Sequence, residues 1–180
     1  IDIPLIRKVA STGKPVIIST GLATFNEIDE AVEAARDAGA TDLVVLKCTA
    51  SYPARPEDSN LATIRALRER YRCEVGLSDH TLGTATAVAA VALGATVLEK
   101  HFTIARDDGA VDSAFSLEPH ELKALVVETE IAHRSIGQVV LEPTELERGA
   151  LGRRRSLYFS ADIGAGELIT AQNVRSIRPG

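Results

Sequence analysis

The sequence predicts an α/β fold built from consecutive strand–helix units. Short apolar runs alternate along the chain with longer segments whose apolar residues recur at helical spacing. The centres of four such runs, near Ile17, Val45, Gly76 and Val97, lie 28, 31 and 21 residues apart, which is the period of a β/α unit. The run from Asp42 to Cys48 is apolar enough to be covered on both faces, as in parallel sheets. Four such units predict either half of an eight-stranded barrel or a small open sheet.

The first unit begins with a helical segment at residues 4–10, followed by a buried strand at 15–19. Thr24 and Glu27 have the spacing of a capping box, in which the threonine caps the helix and the glutamate returns to the cap. We therefore expect a helix from this point to about Ala38, where Gly39 ends it.

The remaining elements follow the same alternation of apolar runs, helical periodicity and Gly or Pro breaks. Their predicted bounds are strands at 42–48, 75–77 and 96–101, helices at 60–71, 83–93 and 119–136, and a long loop at 103–116.

A change in pattern after Gly137 predicts a domain boundary. Residues 138–152 are polar and contain proline, so we interpret them as a linker. Residues 153–180 predict two short strands, at 155–159 and 174–177, which are too few to bury a core alone. The predicted division is 1–137 for the first domain, 138–152 for the linker and 153–180 for the start of a second domain. We expect the chain to be a fragment that lacks both ends of its protein.

Composition excludes several functional classes. The net charge of −5 and the pI near 5.4 argue against a nucleic-acid partner or a membrane surface, which usually require a basic face. No apolar run approaches the roughly 20 residues that a membrane span needs. Cys48 and Cys73 form no disulfide framework, so a reducing, cytoplasmic location is expected.

Two histidines follow equivalent strand ends. His80 ends the segment Gly-Leu-Ser-Asp-His, and His101 ends Leu-Glu-Lys-His one repeat later. The carboxyl ends of adjacent parallel strands lie about 5 Å apart, so the two imidazoles could share one divalent metal with open positions. Two protein ligands favour labile Mn²⁺ or Mg²⁺ over structural zinc. The alternative is a pair of hydrogen-bonded structural histidines.

Other candidates have equally simple alternatives. Ser19 and Ser78 could bind phosphate or carboxylate oxygens at strand ends, although serine is also a common turn residue. Tyr52 could line a site or pack against Pro53. Asp112 lies in the long loop with two other aspartates, which could be functional or a solvated acidic surface.

Four segments together resemble the sialic acid synthase family. They are Lys-Cys-Thr-Ala-Ser-Tyr-Pro-Ala at 47–54, Gly-Leu-Ser-Asp-His-Thr at 76–81, Glu-Lys-His-Phe at 99–102 and Arg-Pro-Gly at 178–180. The resemblance implies a (β/α)8 TIM barrel, here strands five to eight with their helices, followed by the start of a small antifreeze-like (SAF) domain. It also implies condensation of phosphoenolpyruvate with an open-chain N-acetylated amino sugar in a homodimer, with Mn²⁺ or Mg²⁺ as the metal.

The resemblance also implies roles for individual residues. His80 and His101 match metal ligands, Ser19 and Ser78 match residues that contact phosphoenolpyruvate, and Tyr52, Glu99 and Asp112 match residues that line the sugar and the reacting centre. Arg178 matches an arginine that the SAF domain places over the barrel of the other subunit.

Two departures bear on the sugar. The family commonly has Asn where this chain has Ala50, and Gly-Pro-Asp where it has residues 110–112. The run 112–119 resembles the pseudaminic acid synthase branch, whose substrate is a 2,4-diacetamido-2,4,6-trideoxy hexose, and an apolar Phe115 suits its methyl group. The alternatives are an N-acetylneuraminate synthase that uses N-acetylmannosamine, or an inactive fragment that binds sugar phosphate.

A third alternative is another barrel enzyme, such as a metal-dependent aldolase or epimerase. It would need a catalytic lysine or a third metal ligand at a strand end, and Lys47 and Lys100 are the candidate lysines. The sequence does not fix which face of the sheet either lysine occupies, because a one-residue change in pleat reverses a side chain.

Overall fold

A computed structural model describes residues 1–178 of the chain. The chain divides into two compact units, Ile1–Gly137 and Gln138–Gly180. Pro179 and Gly180, which end the predicted Arg-Pro-Gly segment, lie outside the described residues.

The first unit alternates strands and helices as predicted. In chain order its elements are α1 (Ile3–Ala10), β1 (Val16–Ser19), α2 (Phe25–Asp37), β2 (Leu43–Cys48), α3 (Thr63–Tyr71), β3 (Glu74–Asp79), α4 (Ala85–Ala92), β4 (Val97–Lys100) and α5 (Pro119–Ile136). Short 3₁₀ turns lie at Pro56–Ser59, Arg106–Asp108 and Ser113–Phe115.

The four strands form one parallel sheet in the order β1-β2-β3-β4. Sequential order with helical crossovers is the arrangement of half a β/α barrel, so the α/β prediction is confirmed. In the register of the last two strands, Ser78 lies opposite Glu99 and Asp79 lies opposite Lys100.

One face of the sheet packs against the helices, and we call it the outer face. It carries Val16, Ile18, Leu43, Val45, Val75, Leu77 and Leu98, which pack with helix residues in the main hydrophobic core. Because side chains alternate along a strand, the opposite, inner face carries Ile17, Ser19, Val44, Leu46, Cys48, Gly76, Ser78, Val97 and Glu99. Ile17 is 54% exposed, so helices cover only the outer face.

Local sequence explains where several elements begin and end. Thr24 and Glu27 form the predicted capping box at the start of α2. Pro119 occupies the first position of α5 and Gly137 follows its last residue, as predicted. The third helix begins at Thr63 rather than near residue 60, because Asn60 has a left-handed backbone with φ of 44°.

The second unit contains β5 (Ser156–Phe159) and β6 (Val174–Ile177), which pair as an antiparallel ribbon. Asn173 is its buried residue among those described, consistent with too little structure to form a core. The segment predicted as a linker is not featureless, since it contains α6 (Glu145–Arg148) with a capping box at Thr144 and a 3₁₀ turn at Leu151–Arg153. Throughout residues 1–178, no helix has the length and apolarity to cross a bilayer.

Candidate functional site

The candidate site lies at the carboxyl ends of the strands, on the inner face. His80 directly follows β3 and lies two residues after Ser78, and His101 directly follows β4 and lies two residues after Glu99. Alternation therefore directs all four side chains to the inner face, while Asp79 and Lys100 point to the outer face.

Two serines hold a carboxylate on the inner face of the sheet. Glu99 Oε1 accepts a hydrogen bond from Ser78 Oγ at 2.7 Å and another from Ser19 Oγ at 3.3 Å. The first contact follows from the register of β3 and β4, and the second reaches back to β1. Three residues predicted from separate parts of the sequence thus lie together.

His80 is buried, with 7% of its surface exposed, and its orientation is fixed by the loop after β2. Its Nδ1 lies 2.8 Å from the carbonyl oxygen of Thr49. Because a carbonyl only accepts, Nδ1 must donate, which leaves the Nε2 lone pair of a neutral imidazole available to a ligand. The main-chain carbonyl of His80 accepts from the amide of Ala54 at 2.9 Å, so the backbone is also held.

Aromatic rings surround the two histidines. The Tyr52 ring lies 4.2 Å from the His80 ring and 5.8 Å from the His101 ring, measured between centroids. The Phe115 ring lies 5.1 Å from His101 and 6.0 Å from Tyr52. Asp112 Oδ2 approaches His101 Nδ1 to 3.7 Å, which is too long for a direct hydrogen bond.

The two imidazoles fit the geometry of a shared metal ion. Their ring centroids are 5.2 Å apart and the rings are nearly perpendicular, at 78°. A ring nitrogen about 2.1 Å from an ion places its ring centroid about 3.3 Å away. Two rings whose nitrogens subtend about 90–110° at the ion then have centroids about 4.7–5.4 Å apart, so the observed centroid separation is compatible with a shared ion. The Thr49 carbonyl on His80 is the kind of outer contact that orients a ligating imidazole.

The long loop after β4 is organised around Arg106. Its guanidinium donates to the Ser116 carbonyl oxygen at 3.0 Å and pairs with Glu121, and its amide donates to Glu118 at 2.9 Å. The backbone amide of Glu118 and then the Arg106 guanidinium hold the pKa of Glu121 below its usual range. These contacts hold the loop that carries Asp112 against the start of α5. The backbone of Asp112 is left-handed, with φ of 66°.

Both candidate catalytic lysines lie on the outer face. Lys47 Nζ donates to the Cys48 carbonyl oxygen at 2.8 Å and to Thr49 Oγ1 at 2.9 Å, and burial lowers its pKa. Lys100 Nζ lies 2.7 Å from Asp79 Oδ2 in an ion pair. The structure therefore does not favour the form of the aldolase or epimerase alternative that needs a lysine directed at the site.

Some predicted residues lie elsewhere, and others were not anticipated. Arg178 is exposed and follows β6 in the second unit. Glu118, His120 and Glu121 have ligand atoms close enough for a metal, but the two carboxylates cap α5 and bind Arg106. Thr49 and Arg106 were not predicted from the sequence, because the contacts that give them a role join segments that are distant along the chain.

Comparison with known proteins shows that the chain is similar to sugar-acid synthases. The sequence model described as the NeuB family matches residues 1–140. A pseudaminic acid synthase of Campylobacter jejuni is 43% identical over 181 residues, covering 99% of this chain and 52% of that protein. An N,N'-diacetyllegionaminic acid synthase of the same species is 36% identical over 181 residues, covering 99% of this chain and 54% of that protein.

The chain is also similar to the solved structure of a sugar-acid synthetase. The N-acetylneuraminic acid (sialic acid) synthetase of Leptospira borgpetersenii, determined with citrate, superposes with a TM-score of 0.76 at 37% identity, covering 83% of this chain and 52% of that one. The chain spans about half the length of the curated relatives it matches.

Proposed function

The chain belongs to the NeuB family, and from that premise we propose that its full-length protein is a nonulosonic acid synthase. The proposed reaction condenses phosphoenolpyruvate with an open-chain 2,4-diacetamido-2,4,6-trideoxy hexose and water, giving pseudaminic acid and phosphate. The observation that carries the proposal is the Glu99 carboxylate, held by Ser19 and Ser78 on the face to which His80 and His101 also point.

The two serines would bind the anionic groups of phosphoenolpyruvate. Each hydroxyl has a single proton, and the protons of Ser19 and Ser78 are directed at Glu99. Donation to a phosphate or carboxylate oxygen therefore requires the hydroxyls to rotate. That rotation would release Glu99 to accept a sugar hydroxyl or to move a proton during carbon–carbon bond formation.

His80 and His101 are the residues that would hold a divalent metal, Mn²⁺ or Mg²⁺. When bound, such an ion acts as a Lewis acid that polarises the sugar aldehyde toward attack by the enol carbon. Tyr52 and Phe115 would cover the reacting groups and restrict water, since their rings lie within 6.0 Å of each other beside the imidazoles. Asp112, which is exposed beside His101, would bind sugar hydroxyls.

The reaction would cleave the C–O bond of phosphoenolpyruvate. The enol carbon attacks the aldehyde carbon, water adds to the resulting oxocarbenium carbon, and loss of phosphate restores the keto group. Phosphoenolpyruvate labelled with ¹⁸O at the bridging oxygen tests which bond breaks, because C–O cleavage sends the label into phosphate. Label retained in the keto acid would contradict it.

Apolar groups around the site favour the deoxy sugar. Phe115 packs beside His101 and Tyr52. Ala50 follows the carboxyl end of β2 and lies close to Gly21. A Cβ atom added to Gly21 would be 3.2 Å from the Cβ atom of Ala50. An apolar lining accepts the C6 methyl of the trideoxy hexose, whereas it leaves the C6 hydroxyl of N-acetylmannosamine without a partner.

Product analysis of the full-length protein discriminates between the sugars. With phosphoenolpyruvate and each sugar in turn, we expect phosphate release and a nine-carbon keto acid with the diacetamido sugar. Turnover of N-acetylmannosamine alone would instead assign an N-acetylneuraminate synthase, an alternative supported by the 37% identity to the Leptospira enzyme.

Metal dependence has a matched set of variants. We expect EDTA to abolish turnover, Mn²⁺ to restore it, and His80→Ala and His101→Ala to lose Mn²⁺ binding. His133→Ala is the control, because His133 is an exposed histidine on α5. Full activity of either site variant would refute the metal centre.

Two further proposals concern assembly. We expect a homodimer in the cytoplasm, in which Arg178 of the SAF domain acts at the barrel of the other subunit. Arg178→Ala should therefore lower activity without changing the monomer–dimer ratio, and mixing it with His80→Ala subunits should restore part of the activity. We also expect residues 1–180 alone to bind substrates without turning them over, and turnover by this segment would contradict that expectation.

A further inference from the structure

A buried ion pair lies on the outer face directly behind the two histidines. Lys100 Nζ contacts Asp79 Oδ2 at 2.7 Å, and the two side chains are only 4% and 2% exposed. Lys100 also donates to the Thr81 carbonyl oxygen at 2.6 Å, while Asp79 Oδ1 accepts from the Thr81 amide at 2.9 Å. The charges are thus buried and joined to the main chain of Thr81, two residues after the end of β3.

The positions of this pair in the chain connect it to the inner face. Asp79 and Thr81 flank His80, and Lys100 lies between Glu99 and His101. The pair therefore fixes the backbone on both sides of one imidazole and ties it to the strand that carries the other. It touches neither imidazole itself, since Asp79 and Lys100 side chains point away from the inner face.

The ion pair stabilises one register of β3 and β4 over registers shifted by one residue. A shift of β4 by one residue would turn His101 and Glu99 to the outer face and leave Lys100 on the inner face. The Asp79 carboxylate would then be buried without its partner, and an unpaired buried charge is strongly destabilising. A pair of apolar residues at these positions would impose no such penalty.

We propose that Asp79 and Lys100 are positioning residues, whose ion pair fixes the register of β3 and β4 and so aligns His80 and His101 as ligands of one divalent metal. The inference rests on the proposed function for the metal centre. It adds a role on the opposite face of the sheet for two residues that contact neither metal nor substrate.

The test replaces both charges together. Asp79→Leu combined with Lys100→Met removes the pair without leaving an unpaired buried charge, so the fold can persist. In the full-length protein without substrates, we expect the dissociation constant for Mn²⁺, measured from the EPR signal of free Mn²⁺, to rise at least about tenfold, which is the lower end of the effect of losing groups that orient metal ligands. The thermal midpoint should change little. At saturating Mn²⁺, kcat should still be lower than in the parent protein, because the two histidines remain misaligned.

A second pair provides the matched control. Asp29 and Arg70 join α2 to α3 through a contact of 2.7 Å, and they are partly exposed. Asp29→Asn combined with Arg70→Met should leave Mn²⁺ affinity within about twofold of the parent. Any general effect of deleting an ion pair would appear in both double variants.

The possible outcomes separate this inference from the metal centre itself. A folded Asp79→Leu/Lys100→Met variant with parental Mn²⁺ affinity would overturn the positioning role, provided that His80→Ala has lost binding. Unchanged Mn²⁺ binding in His80→Ala would instead overturn the metal centre. If the apolar variant fails to fold, Asp79→Asn/Lys100→Gln, which keeps uncharged hydrogen bonds, takes its place. Failure of both to fold would make the pair a requirement of the fold and also overturn the proposal.

Discussion

Gly76 leaves no room for a side chain between β3 and β4. A Cβ atom at this position would lie 2.0 Å from the Val97 carbonyl oxygen and 2.6 Å from Leu46 Cδ2. The leucine could change rotamer, but the carbonyl belongs to the backbone of the adjacent strand. Gly76→Ala must therefore separate the two strands, which meet here at a register pair.

The cost follows from the nature of this clash. Overpacking a buried site typically destabilises by about 1–3 kcal/mol, and a backbone contact that rotamer changes cannot relieve belongs at the upper end. We expect Gly76→Ala to lower the free energy of unfolding in urea by about 3 kcal/mol. Gly149→Ala is the control, because Gly149 has helical φ and ψ of −62° and −18° and an added Cβ meets nothing within 4 Å.

The same displacement should affect the site. Val97 is two residues before Glu99, so moving β4 lengthens the 2.7 Å contact between Ser78 and Glu99. We expect kcat/KM of the full-length Gly76→Ala protein to fall at least about tenfold, since small misplacements of reacting groups are costly. A free energy of unfolding within about 0.5 kcal/mol of the Gly149→Ala control would show that β3 and β4 accept a side chain at Gly76 and would contradict this prediction.

Three further predictions concern charged groups. Glu99→Gln keeps the shape of the carboxylate but removes its charge, so we expect kcat to fall about 100-fold or more, with little change in the thermal midpoint, measured by phosphate release and calorimetry. Arg106→Ala removes the contacts that hold the loop after β4. Steady-state kinetics should show that this substitution raises the KM for the sugar more than the KM for phosphoenolpyruvate. Arg70 holds the pKa of Asp29 below its usual range. Asp29→Asn should therefore destabilise the protein at neutral pH, and thermal midpoints should show the difference shrinking as the pH falls through the lowered pKa.

The sequence predicts the elements whose signals are local. Pro119 and Gly137 bound α5, and Thr24 with Glu27 begins α2, because these residues act on backbone within one turn. The third strand, predicted at 75–77, extends to Glu74–Asp79. Its last residues, Ser78 and Asp79, are polar and lie outside the predicted strand. They are nevertheless buried, because they pair with Glu99 and Lys100. That pairing is a contact between distant segments, which propensity does not record.

The candidate site divides in the same way. The histidine pair was predictable because equivalent strand ends of a parallel sheet meet at one edge. The directions of Lys47 and Lys100 were not, because they depend on which residue of each strand begins the pleat. Once Ser78 is paired with Cys48 on one side and with Glu99 on the other, both directions follow, and the lysines lie behind the site instead of in it.

The charges on the inner face explain why the proposed activity is assigned to the full-length protein. Among the strand positions described in residues 1–178, this face carries serines, a carboxylate and the two imidazoles that follow, with no lysine or arginine. Phosphoenolpyruvate carries a phosphate and a carboxylate, and Glu99 repels both. The serine hydroxyls can orient these groups but cannot neutralise them, so cationic partners must come from a bound metal or from elements beyond these four strands. The inner face therefore supplies the groups that orient and react, while the compensating positive charge has to be supplied by other groups.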